Sequence, residues 1–128
     1  MESVAVTLGY ATAAGDCGSL DEQLAELAAA GVDPRRIFTD KTSGSADKMR
    51  AGLLALLSYA RAGDVVVVVA LERLGRTVTE VTHTVADLTT RGITLRCLAD
   101  GLDTATATGR VVAKVLTDLA ALDAEVRP

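Results

Sequence analysis

Aromatic side chains are nearly missing from this chain of 128 residues: two tyrosines, one phenylalanine and no tryptophan, 2% in all. With 49% of residues apolar, a core has to be assembled from Val, Leu and Ala, and the length suffices for one domain that buries it. Long apolar runs are also missing. The longest, Val65–Leu71, has the length of a buried strand and falls far short of the roughly 18 residues of a membrane span. Glu2 and the absence of a basic segment ahead of an apolar run give no signal peptide. The two cysteines, Cys17 and Cys97, have no CxxC spacing, which fits a reduced, cytoplasmic protein. His83 is the one histidine, mid-helix by pattern, with no Asp, Cys or second His placed to build a triad or a metal site; neither metal nor cofactor is expected. A basic excess is lacking too. Thirteen Lys and Arg stand against 17 Asp and Glu, for a net charge of −4. Non-specific DNA binding depends on neutralising phosphates, so DNA contact should be weak at best.

The patterns that are present alternate strand and helix. Val4, Val6 and Leu8 recur in period two and predict a first strand, Val4–Tyr10. Ser19-Leu-Asp-Glu is a capping box opening a helix with Leu20, Leu24, Leu27 and Ala28 on one face, stopped by Gly31. Arg36–Thr39 is a short second strand, followed by a polar loop with Ser43-Gly44-Ser45. A helix from about Met49 to Ala62 precedes the turn Gly63-Asp64 and the valine strand Val65–Leu71. A third helix, about Val78 to Arg91, presents Val81, Val85 and Leu88; Ile93–Leu98 is a fourth strand, and a short edge strand is possible near Leu102. From Gly109 a last helix carries Val112, Val115, Leu119, Leu122 and Val126 at 3, 4, 3, 4 spacing, an a/d seam. Such alternation implies an α/β three-layer sandwich with a mainly parallel sheet of four or five strands.

The most telling segment is Leu71-Glu72-Arg73-Leu74-Gly75-Arg76-Thr77, just beyond the valine strand. Ligands of open α/β sheets bind at the carboxyl ends of strands, and guanidinium forks there suit a phosphate. The plain alternative is that these arginines cap carbonyls and pair with Glu72 or Glu80. The segment resembles the arginine signature of the resolvase/invertase family of serine recombinases. Gly9-Tyr10-Ala11, Ser19-Leu20-Asp21 with Gln23, Ile37–Lys41 with Ser43-Gly44, Arg50-Ala51-Gly52-Leu53 and Gly63-Asp64 are similar to further family segments in the same order. The resemblance covers essentially the whole chain. It implies a resolvase-like catalytic-domain fold and a phosphate pocket at Arg50, Arg73 and Arg76, with Glu72 where the family usually has Asp.

The departures concern the chemistry. In the family a serine attacks a DNA phosphodiester and stays covalently linked to the 5′ phosphate, with an arginine two residues before it. Here those positions read Ala14 and Thr12. A methyl group cannot become an alkoxide, so covalent catalysis at position 14 is excluded, and the charge stabilisation of the lost arginine goes with it. No intact catalytic set is expected. Thr12, Cys17, Ser43 and Ser45 have nucleophilic atoms, but ordinary structural roles account for each.

Relatives continue past the last helix into a helical arm and a DNA-binding module. This sequence has neither a helix-turn-helix pattern nor a basic tail, so the expectation is one catalytic-like domain over residues 1–128. The family dimerises through the corresponding helix, which makes Val112, Val115, Leu119, Leu122 and Val126 a dimer contact, with packing on the chain's own sheet as the alternative. Expected partners are a second copy or an intact serine recombinase. An active recombinase with a displaced nucleophile and a phosphate-ligand-binding protein remain the alternative readings.

Overall fold

A computed structural model describes residues 5–12, 19–40, 51–75 and 77–126, with only the backbone for 124–126. The elements are β1 (Thr7–Thr12), α1 (Leu20–Ala29), β2 (Ile37–Asp40), α2 (Ala51–Tyr59), β3 (Val65–Val68), α3 (Val78–Thr90), β4 (Thr94–Cys97), β5 (Leu102–Asp103) and α4 (Ala107–Val126). Short 3-10 turns at Pro34–Arg36 and Leu71–Leu74 precede β2 and follow β3. The strands form one sheet in the order β2-β1-β3-β4-β5. All neighbours are parallel except β5, which runs antiparallel to β4. The three-layer α/β arrangement read from the sequence is the one found.

The valine run shows why the sheet is buried on both sides. Val66 and Val68 face a cluster with Leu8, Tyr10, Leu53, Leu56, Val85, Leu88 and Leu95, which joins the sheet to α2 and α3. Val67 and Val69 face the opposite cluster with Ala11, Leu27 and Val32, under α1. Successive side chains alternate across a strand, so an unbroken apolar run fills two cores at once.

Several boundaries differ from the expected ones, for identifiable reasons. β1 runs Thr7–Thr12 instead of Val4–Tyr10, and Gly9 lies inside it. A Cβ at Gly9 would sit 3.1 Å from Val32 and 3.2 Å from Ile37 side-chain atoms, so glycine here marks close approach of the helix layer and not a strand end. Position 4 lies outside the described residues. Arg36 belongs to the turn Pro34–Arg36, whose N-cap Asp33 accepts the Arg35 N–H at 2.9 Å, and β2 begins one residue later. β3 ends at Val68; the chain bends at Val69, whose carbonyl still accepts the Ala99 N–H at 2.7 Å, and coils at Leu71. β4 is trimmed to Thr94–Cys97 and α2 is described from Ala51 to Tyr59. The Ser19 cap is as read: its side chain accepts the Glu22 N–H at 3.1 Å.

α4 has three faces. Gly109, Ala113 and Ala120 are buried, and the helix packs against α3 and β5. Val115, Leu119 and Leu122 are 51%, 47% and 53% exposed, with Val111 beside them. The third face carries Arg110, Lys114 and Asp118, with Lys114 Nζ donating to Asp118 at 3.2 Å. Of the expected seam, Val115, Leu119 and Leu122 are exposed while Val112 is half-buried, and the inward contact is made by Ala113, Ala120 and Leu116, which packs on the core. The side chain of Val126 lies outside the described set.

Candidate functional site

The strand order fixes where a site can form. From β1 the chain moves outward to β2, then returns across β1 to place β3 on the other side. The crevice at this reversal lies beyond the carboxyl ends of β1 and β3, the usual ligand position of such sheets. Thr12 ends β1, Asp40 ends β2 in register with it, and the Leu71–Leu74 turn follows β3.

Thr12 is 1% exposed and its backbone is held from both sides. The buried Gln23 side chain accepts the Thr12 N–H at 3.2 Å and donates its amide to the Thr12 carbonyl at 2.8 Å. One side-chain amide thus extends the ladder and ties the strand end to α1. This burial and tethering leave Thr12 poorly placed to replace a nucleophile two residues further on.

Asp40 is the centre of the described site. Its Oδ2 accepts the Tyr10 hydroxyl at 2.6 Å and the Leu53 N–H at 3.1 Å, and its Oδ1 accepts the Gly52 N–H at 2.7 Å. The carboxylate satisfies first-turn amides of α2, where a negative charge also meets the positive end of the helix dipole. Gly52 is required at this contact, because a Cβ there would collide with the Thr39 carbonyl oxygen. The arrangement anchors the start of α2, immediately after Arg50. Local pattern did not single out Asp40 as a cap, because its helix begins 11 positions later, at Ala51. The available signal was the apolar-to-acid end of β2 followed by a small-residue helix start.

Arg73 sits in the turn after β3 and is 1% exposed, while Glu72 beside it is exposed. Leu74, also buried, accepts the Thr84 hydroxyl on its carbonyl at 3.2 Å. Gly75 then passes so close to α3 that a Cβ would lie 2.7 Å from the Val81 nitrogen. Thr77 caps α3, accepting the Glu80 N–H at 3.1 Å. The Leu-Gly-Arg-Thr spelling is thus a turn folded tightly onto the next helix. Of the expected phosphate pocket, Arg73 lies buried in the turn after β3; Arg50 and Arg76 lie outside the described residues, as do Ala14, Cys17, Ser43 and Ser45.

His83 is satisfied within the fold: its Nε2 lies 3.1 Å from Asp123 Oδ2 across the α3–α4 contact. Forty positions of separation hid the pair from any spacing rule. No group of three or more His, Cys, Asp or Glu among the described residues could hold a metal ion. Cys97 is 1% exposed. Burial, with the Asp100 carboxylate adding to it, pushes its thiol up to about 12. No helix among the described residues is long and apolar enough to cross a membrane.

The family model described as Resolvase, N terminal domain, matches residues 10–127. The chain belongs to the resolvase family. It is 38% identical over 112 residues to the transposon Tn3 resolvase of Escherichia coli, covering 88% of this chain and 60% of that protein. It is 36% identical over 120 residues to the DNA-invertase hin of Salmonella typhimurium, covering 94% of this chain and 62% of that protein. The chain therefore spans about 60% of the length of these relatives. The N-terminal catalytic domain of TP901-1 integrase has a similar fold, with a TM-score of 0.72 and 24% identity over 95% of this chain and 98% of that one. These matches make this a serine recombinase catalytic domain of the resolvase family.

Proposed function

We propose that this resolvase-family domain has lost strand cleavage and acts in the cytoplasm as an interaction module, pairing with a second copy or with an intact serine recombinase through α4. The observation that carries the first half is Ala14. The position expected to hold the attacking oxygen has none, and Thr12 replaces the neighbouring arginine. The second half is supported by the apolar face of α4, which is turned away from the chain's own layers. The acidic balance of the chain favours protein over DNA as the main contact.

The test is a supercoiled-plasmid assay with denaturing detection of protein–DNA adducts. The expected result is neither nicking nor adduct. An adduct that disappears on mutating Thr12, Cys17 or Ser45 would establish an active recombinase with a displaced nucleophile. A second reading, binding of a phosphorylated ligand by Arg50, Arg73 and Arg76, is supported by chain position: the turn carrying Arg73 follows the carboxyl end of β3, where parallel sheets hold ligands. Titration with inorganic phosphate, comparing wild type with Arg76→Ala, separates it from a purely interacting domain.

A further inference from the structure

The largest described cavity lies away from that crevice, at the opposite end of the sheet. Its floor is Gly92, Ile93 and Thr94, where the chain leaves α3 and enters β4. Thr94 is in register with Val65, the first residue of β3, so the cavity opens at the amino-terminal edge of the parallel strands. One wall is the β5–α4 connection at Thr104 and Ala105, and the other is α4. The volume is about 540 Å³, within the range of small-molecule sites. The space exists because the facing positions are small: a glycine at 92 and alanines at 105 and 113.

Its chemistry is distinctive for so acidic a chain. Arg110 and Lys114, one helical turn apart on α4, both line the opening. Lys114 is engaged by Asp118 at 3.2 Å in an exposed pair, a weak contact that an incoming anion can displace. Arg110 has no ion pair among the described residues. Thr89 and Thr94 add hydroxyls on the opposite wall, and Ala113 and Ile93 supply apolar surface. Arg110 and Lys114 outnumber the one carboxylate of the lining, Asp118, and with hydroxyls and apolar surface around them they fit a compact ligand with an oxyanion at one end and hydroxyl groups along its body.

We infer that this cavity binds a small hydroxylated oxyanion, a phosphate monoester or a hydroxycarboxylate, with Arg110 and Lys114 on the anionic group. The site is independent of the crevice and of the Ala14 argument. The test is a two-dimensional amide NMR titration of the whole chain with inorganic phosphate, a hexose phosphate and tartrate in separate arms. Saturable shifts at Thr89, Gly92, Thr94 and Thr104 are expected, larger for one organic anion than for inorganic phosphate, and that arm identifies the source of the oxyanion. Arg110→Ala should weaken binding about tenfold or more, since a charge-assisted fork is lost. Ala113→Leu should abolish binding by filling the cavity from its α4 wall. Shifts that do not saturate, that survive both α4 substitutions, or that a short DNA duplex reproduces at lower concentration would overturn the assignment.

Discussion

At the scale of single residues, the site is held by groups that do two things at once. Asp40 terminates a strand, receives a buried phenol and caps a helix through two amides. Asp40→Ala should therefore cost about 3 kcal/mol, more than an ordinary cap, because charge-assisted hydrogen bonds in a buried position are lost together. Chemical denaturation measures it, and Asp40→Asn should recover part of the loss. A cost under about 0.5 kcal/mol would show that Asp40 does not anchor α2. Cys97 gives a second prediction. Its thiol ionises at about 12 in the fold against 9.0 for the free side chain. The folded state thus holds the proton more tightly, so the contribution to stability is complete below pH 9 and lost as pH rises toward 12. In a Cys17→Ser background, Cys97 should react with a disulfide reagent at pH 8 only on unfolding, and Cys97→Ala should flatten the alkaline loss of stability.

Among the elements, legibility followed how local each cause is. The capping box at Ser19, the Gly63-Asp64 turn before β3 and the helix-to-turn closure near Gly92 depend on neighbours in sequence, and all were readable there. The ends of β1 and β3 were not, because they are set by partners. Gly9 looks like a terminator in isolation, yet Val32 and Ile37 make glycine the residue that fits mid-strand. The apolar stretch Val69–Leu71 continues the valine pattern, but the chain bends at Val69, one backbone bond past the end of β3. On α4 the seam was legible as a stripe, whereas its small-residue face had no signal of its own until α3 and β5 were in place. Gly109 tests that face. A Cβ there would collide with the Asp103 carbonyl oxygen and lie 2.8 Å from the Thr104 Cα. Gly109→Val should displace the first turn of α4 and lower the melting temperature by several degrees, about 2 kcal/mol or more. Asp123→Asn, which weakens the half-exposed bridge to His83, should cost less than about 1 kcal/mol.

Over the whole molecule, the position of Arg73 just beyond β3 was legible in the sequence, because a buried strand followed by paired arginines is a contiguous signal. The arrangement of Thr12 tied to Gln23 and Asp40 tied to Tyr10 and α2 forms only when the β2-β1-β3 order brings separate segments together.

The same order leaves α4 outside the three layers with its aliphatic face outward, and the exposures there set the strength of any pairing. Val111, Val115, Leu119 and Leu122 are 64%, 51%, 47% and 53% exposed, so each has about half its side-chain burial left to gain. At roughly 1 kcal/mol apiece, two such helices gain on the order of 8 kcal/mol. Association costs an estimated 4–15 kcal/mol or more, roughly. The stripe alone therefore supports weak pairing, and tighter association needs more apolar surface, which Val78 at 80% exposure and the neighbouring Leu71–Leu116 groove provide. Leu119→Glu with Leu122→Glu should give a folded monomer by sedimentation velocity. Val78→Asp should weaken pairing without abolishing the fold, placing the contact across both α3 and α4. If the wild type sediments as a monomer at concentrations of about several hundred micromolar, equivalent to a pairing energy below about 5 kcal/mol, self-association through α4 fails and only a partner with a larger complementary surface could use that face.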